Sequence, residues 1–261
     1  MSNPPILCNK HYEQASLFDP RALIREARRQ KGLNQSNVPV FCVLDPDGDL
    51  SRHLKDSGVP INKSWACYHT EMRNLRIGDN IVGVVGCAVG ASFAVLVAEQ
   101  LFVSGCEFLV SITSAGQLAK HKPPPYFQLI DRCLRDEGTS YHYIPPSEFV
   151  SLRTNLNNLA ESIMGATPDL IRGGTWTTDA PYRETTEATK SITESGLLAV
   201  EMEAAALYAF AQAAKKDIMC FAHITNQMAT IENDFEKGQN NGNTAMIELI
   251  RTVYSLYNQS K

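Results

Sequence analysis

The sequence predicts an α/β fold: three layers, α/β/α, around a central mixed, mostly parallel sheet. Three observations carry this expectation. From Val38 onward, short β-branched apolar runs alternate with polar loops and helix-periodic segments. No internal repeat is visible, and no Gly-, Pro- or Ser-rich linker divides the chain. A chain of 261 residues, 44% hydrophobic and 20% charged, is ample for one large core. The expected organisation is an N-terminal helical extension over 1–37 and one domain over 38–261.

The elements follow in order. Asp19 caps a helix with Pro20 in its first turn, and Gly32 ends it; its arginines (Arg21, Arg25, Arg28, Arg29) read as a solvated face. "VPVFCVL" (38–44) is a strand, and "DPDGD" (45–49) the turn after it. "IVGVV" (81–85) is a strand, followed by a glycine turn and a helix that Ser92 can cap, running to about Val103. "EFLVSIT" (107–113) is a strand turning at "SAGQL", and "YFQLIDRCL" (126–134) is another. Residues 147–164 read as a helix and "DLIRGGTWTT" (169–178) as a strand. "LLAVEMEAAALYAFAQAAKK" (197–216) is a strand running directly into an alanine-rich helix, with Glu201 and Glu203 at the joint. "DIMCFAHIT" (217–225) is a strand, and a last helix covers about Asn243 to Tyr257.

Composition excludes several classes. The net charge is −4 with no dominant basic cluster, which argues against a nucleic-acid partner. The 7 cysteines are scattered without a C-x-x-C, which argues for reduced thiols in a cytoplasm and against a zinc site or disulfide frame. The N-terminal residues lack a basic region followed by an apolar core, so no signal peptide is expected. Residues 81–98 carry no charge, but their strand–turn–helix punctuation reads as core and not as a membrane span.

In open α/β sheets, ligand sites gather beyond the carboxyl ends of the strands. The residues to examine are therefore Asp45–Asp49, Cys87–Ala91, Ser114–Gly116, Asp179–Glu184, Glu201–Glu203 and Asn226–Gln227.

"VEMEAAALY" (200–208) resembles the signature of the nucleoside phosphorylase superfamily, which includes uridine phosphorylase, purine nucleoside phosphorylase and the methylthioadenosine nucleosidases. "GCAVGASFAVLVAEQL" (86–101), "SGCEFLVSITSAGQL" (104–118) and "RDEGTSYHY" (135–143) resemble further segments of it, over about 38–255. The resemblance implies a nucleoside phosphorylase-like fold that cleaves an N-glycosidic bond through an oxocarbenium-like transition state. It implies no metal or organic cofactor, only phosphate as co-substrate if the enzyme is a phosphorylase. By it, Glu203 accepts hydrogen bonds from the ribose 2′ and 3′ hydroxyls, as a carboxylate with two acceptor oxygens can. Met202 packs on the sugar, and Glu201 is structural or contacts a neighbouring polar group. Read without the family, Glu203 is equally an acid in a helix's first turn. Thr113, Ser114 and Gly116 fall in the substrate-binding turn.

The resemblance assigns the leaving base to two segments. "HITNQMA" (223–229) places Asn226 where purine nucleoside phosphorylases present an asparagine to N7. "GTWTTDAPYRET" (174–185) aligns Glu184 with the residue that faces purine N1, while Tyr182 or Trp176 is an alternative stacking partner. In 179–190 Arg183 is the one arginine and no glutamine is present, unlike the uracil-binding segment of uridine phosphorylases, so a purine is favoured over uridine. The opposite face of the sugar departs from the family. Ser111 stands where phosphorylases carry an arginine, and their Gly-Asp-Pro loop is here Leu44-Asp45-Pro46. Ser114, Asp45, Cys87 and Arg73 remain as candidates for a phosphate or water site. Phosphorolysis to free base and ribose 1-phosphate heads the expectations, followed by phosphate-independent hydrolysis and by a catalytically degenerate nucleoside binder. A homo-oligomer built on dimers, up to a hexamer, is expected.

Overall fold

The computed structural model describes residues 4–228, 232 and 234–261. Residues 1–3 of the extension, and Ala229 at the end of "HITNQMA", lie outside the described residues. Among those described, nine strands form one mixed sheet. The first half runs α1 (Pro20–Lys31), β1 (Phe41–Asp45), α2 (Asp49–Asp56), β2 (Met72–Ile77), β3 (Asn80–Gly86), α3 (Ala91–Val103), β4 (Phe108–Gln117) and β5 (Tyr126–Asp136). The second half runs β6 (Phe149–Ser151), α4 (Asn157–Ala166), β7 (Ile171–Thr178), α5 (Thr186–Glu194), β8 (Ala199–Glu201), α6 (Ala204–Ala214), β9 (Asp217–Asn226) and α7 (Asn243–Gln259).

β4 organises the sheet. Its first half pairs in parallel with β1, and its tip, Gly116 and Gln117, pairs antiparallel with β8. Along its other edge it pairs in parallel with β9. β9 continues to β5, β5 to β7 and β7 to β8, so β4, β9, β5, β7 and β8 close into a ring while β1, β3 and β2 extend as an open wing. Between β1 and β8, one edge of β4 around Thr113 and Ser114 has no strand partner, and there the site opens. Helices cover both sides: α1, α3 and α6 pack in one group, and α2, α7 and α4 in the other.

Burial explains the elements. β4 is buried nearly throughout, as a doubly covered strand should be, its polar Ser111, Thr113 and Gln117 included. α6 is apolar all round because residues 204–211 are all buried. Its Tyr208 is fully buried; the hydroxyl donates to the Ile130 carbonyl at 2.6 Å and accepts from the Cys220 N–H at 3.0 Å. Tyr208→Phe would strand both backbone groups, and a loss of about 1–3 kcal/mol in denaturant unfolding is expected.

Several expectations are corrected. Residues 147–164 are not one helix: β6 comes first, pairing with β5, and α4 begins only at Asn157. β4 does not turn at Ser114 but runs on to Gln117, because β9 and β8 continue the ladder. Gly90, not Ser92, stands at the cap of α3. α2 and β2 had no sequence assignment. α1 begins after the Asp19 cap and ends at left-handed Gly32, as expected, but Arg28 is no solvated residue. It is 5% exposed, and its guanidinium donates to the carbonyls of Asn34, Ser36 and Ser64 at 3.0, 2.7 and 2.7 Å, tying α1 to the loop before β1 and to the 64–67 loop. Arg28→Ala removes a charged donor from three carbonyls, so a stability loss of roughly 2–4 kcal/mol is expected by the same measurement.

Candidate active site

The two acids at the β8–α6 joint are used differently. Glu201 ends β8, 3% exposed, and is fully engaged within the fold. One carboxylate oxygen accepts from the hydroxyls of Thr175, at 3.1 Å, and Thr177; the other accepts from the N–H groups of Glu203 and Ala204, both at 2.7 Å. The last two are among the N–H groups a helix start leaves without partners, so Glu201 builds the entry to α6. With four donors on its two oxygens, its carboxylate is engaged within the fold, although the residue borders the adjoining cleft.

Glu203 occupies the cap position of α6 but turns its side chain across to the neighbouring strands. Its Oε1 accepts from the Gly90 N–H at 2.6 Å and its Oε2 from the Thr113 hydroxyl at 2.8 Å. Thus the glycine turn before α3, the open edge of β4 and the α6 entry converge on one carboxylate. Burial, reinforced by the neighbouring Glu201 charge, pushes its pKa up to about 8.

A cleft of about 350 Å³ opens beside this joint, lined by Asp47, Ser114, Glu184, Glu201, Met202 and Asn226 among others. On its floor, the Ser114 N–H, unpaired in the sheet, donates to Asp47 Oδ2 at 2.7 Å. Ser111 is buried within β4, flanked by Leu44 and Cys220, so β4 brings no cation to this floor.

The other floor candidates separate. Asp45 is wholly buried and faces inward, accepting from the N–H groups of Gly48 at 3.2 Å and Ser51 at 2.9 Å; burial pushes its pKa up to about 7. It holds the start of α2 and is corrected from a ligand position to a structural one. Arg73, on β2, is 7% exposed and donates to the Val59 carbonyl at 2.7 Å and to Glu71 at 3.1 Å; it does not line the cleft. Cys87 is exposed in the glycine turn with a left-handed backbone (φ 61°), beside the Arg52 guanidinium at 3.6 Å. Gly48, at φ 80°, leaves the room they share: a Cβ there would lie 2.4 Å from Cys87 Sγ and 2.8 Å from Arg52 Nη1. Arg52 also donates to the Asp47 carbonyl and to Asp49, both at 2.8 Å, and Lys237 reaches the other Asp49 oxygen at 2.5 Å.

On the base side, Asn226 ends β9. Its Oδ1 accepts from the Met228 N–H at 3.0 Å, and its Nδ2 donates to Thr225 Oγ1 at 3.2 Å, which leaves a second amide hydrogen to offer. Glu184 is half-buried, without a hydrogen-bond partner for its carboxylate among the described residues, and burial raises its pKa to about 7. Neither stacking candidate faces the cleft. Tyr182 is 99% exposed, and Trp176 is buried against Leu197 and Val200 with its indole N–H on Asp136 at 2.9 Å. Tyr182 is therefore corrected as a base contact.

Of the expected site residues, Glu201, Met202, Ser114, Gly116, Asn226 and Glu184 line the cleft, whereas Glu203 and Thr113 are buried and do not line it. The structure adds Asp47, Phe235 and Lys237, which sequence reasoning did not single out. Asp47 lay within the flagged loop after β1, but the family pattern drew notice to Asp45. Phe235 and Lys237 come from the long β9–α7 connection and carry no local signal. Among the described residues no group of three or more His, Cys, Asp or Glu is arranged to hold a metal ion, and no helix is long and apolar enough to cross a membrane.

No curated protein matches the chain significantly in sequence. Solved structures do resemble it. A uridine phosphorylase from Vibrio fischeri superposes with a TM-score of 0.71 at 15% identity, covering 88% of this chain and 99% of that one. An AMP nucleosidase from Bacteroides thetaiotaomicron gives 0.69 at 20%, covering 94% and 100%. A purine nucleoside phosphorylase from Toxoplasma gondii gives 0.69 at 12%, covering 87% and 95%. At these identities the likeness is one of fold. The family profile described as the phosphorylase superfamily matches residues 40–255, most of the chain, and on that match the protein belongs to the phosphorylase superfamily.

Proposed function

We propose that this protein hydrolyses the N-glycosidic bond of a nucleoside, with water and not phosphate as the nucleophile. The observation that carries the reading is the Asp47 carboxylate on the Ser114 amide at 2.7 Å. Phosphate brought to that floor would meet a fixed negative charge. At 4 Å and an effective dielectric of about 20, each pair of unit charges repels by roughly 4 kcal/mol. The nearby cations, Lys237 and Arg52, are already shared with Asp49.

The chemistry follows from the same arrangement. Glu203, ionised, accepts from the ribose 2′ and 3′ hydroxyls, while Met202 packs on the sugar. The C1′–N bond breaks with its electron pair going to the base, and the Asn226 amide donates to the charge that develops there. Water adds its oxygen to C1′ and gives its proton to Asp47, a general-base role worth typically 10²–10⁴-fold in rate. The base takes a proton from solvent, leaving free base and ribose. A purine is the favoured base, with Glu184 facing its N1 edge.

Phosphorolysis is the second reading, favoured by one observation: the half-exposed Arg52 guanidinium beside Cys87 could turn toward an anion. Base release from inosine, guanosine, adenosine, uridine, methylthioadenosine and, given the likeness to an AMP nucleosidase, AMP separates the two. Each is assayed with and without phosphate. Release without phosphate is expected, strict phosphate dependence would establish phosphorolysis, and nucleoside binding without turnover would mean a binding protein. A further outcome concerns Asn226→Ala. It is expected to lower kcat by about 10²-fold with little change in KM, because its donor strengthens only as charge develops on the base.

A further inference from the structure

A second cavity, of about 590 Å³, lies beside the cleft and shares Lys237 with it. Its walls include Phe127 from β5, His223 from β9, Thr167 from the α4–β7 loop, and the first turn of α7. His223 is 3% exposed and stacks on Phe127, with ring centroids 4.5 Å apart. Among the described residues neither of its ring nitrogens has a hydrogen-bond partner. Burial and the nearby Lys237 hold its pKa down at about 4, so at neutral pH the ring is uncharged and offers one donor and one acceptor. The Thr167 hydroxyl is likewise buried with no partner.

The same cavity receives a helix start. α7 is 17 residues long and begins behind Gly242 with no side-chain cap. Thr244 and Ala245, in its first turn, line the cavity, and their N–H groups have no backbone acceptor among the described residues. Such a turn carries partial positive charge that favours anions. Lys122 lies at the edge, donating to the Asp169 carbonyl at 2.7 Å, and Lys237 projects past the cavity to Asp49. Asp169 and Glu248 also border it and oppose a large polyanion.

We propose that this cavity binds a small phosphoryl-type oxyanion, received by the His223 and Thr167 side chains, the first turn of α7 and Lys122. The site is separate from the cleft and neighbours it through Lys237, which lines both and whose ammonium donates to Asp49.

Isothermal titration of the whole protein with orthophosphate tests this. One saturable site is expected, with Thr167→Val and Lys122→Ala each weakening binding by about tenfold, the worth of one hydrogen bond or charged contact. Arg52→Ala should leave it unchanged. Lys122 is a surface residue whose loss spares the fold, so the test does not depend on Thr167→Val alone. No saturable binding would overturn the proposal. So would binding that survives both cavity variants and disappears with Arg52→Ala, since that would put the anion in the cleft.

Discussion

Glu203→Gln is expected to lower kcat/KM sharply while making the unliganded protein more stable. The catalytic part follows from the diol. A neutral amide presents one acceptor where the sugar's two hydroxyls need two, and a lost charged hydrogen bond is worth about 1.5–3 kcal/mol. One such bond lost implies a fall in kcat/KM of roughly 10- to 150-fold. The stability part follows from linkage. Burial raises the Glu203 pKa from its ordinary 4.5 to about 8, so the folded state holds a proton that the unfolded state releases. The stability this contributes is fully present below pH 4.5 and is lost as pH rises to about 8. Glutamine does not titrate, so the variant escapes that loss. Above pH 8 its melting temperature should exceed that of the parent, by roughly 2–4 °C for each kcal/mol recovered. The same shift predicts the pH profile: if ionised Glu203 binds the diol, kcat/KM should rise tenfold per pH unit toward about pH 8 and then level. A melting temperature below that of the parent at every pH, or a kcat/KM flat from pH 6 to 9, would contradict the placement of this carboxylate.

Asp47→Asn carries the second large effect. It keeps an oxygen for the Ser114 N–H but removes the base, so hydrolysis should fall by about 10²–10⁴-fold with KM nearly unchanged. Asp47→Ala differs in an informative way. It leaves the Ser114 amide without its partner and takes away the floor's nearest negative charge. Added formate, a small carboxylate able to take that place, should restore part of the rate in the alanine variant and none in the asparagine variant. Full activity in Asp47→Asn would remove Asp47 from the mechanism.

The elements that border the cleft were largely legible in the sequence. The Val-Glu-Met-Glu motif marked a strand running straight into a helix, and the structure has β8 ending at Glu201 and α6 beginning behind Glu203. Asn226 was legible as the end of a buried strand. Other features depended on distance in space. Asp47 and Asp45 are two residues apart in the same turn, and nothing local shows that Asp45 turns inward to hold α2 while Asp47 reaches Ser114, 67 positions along the chain. Arg73 was a candidate as a replacement cation, reaching the site across a subunit interface; within this chain its guanidinium donates to the Val59 carbonyl and to Glu71. Lys237 meets Asp49 across 188 positions, a pairing that no periodicity encodes. The helix expected over 147–164 failed for a similar reason. Residues 149–151 pair with β5, and a partner strand can override local helical pattern.

The central claim is that water, not phosphate, attacks the sugar. The direct measurement is product analysis of turnover in ¹⁸O-labelled water with phosphate present. The account predicts free ribose carrying the label at its C1 oxygen, at a rate that phosphate does not increase. Unlabelled ribose 1-phosphate, formed only when phosphate is present, would contradict it.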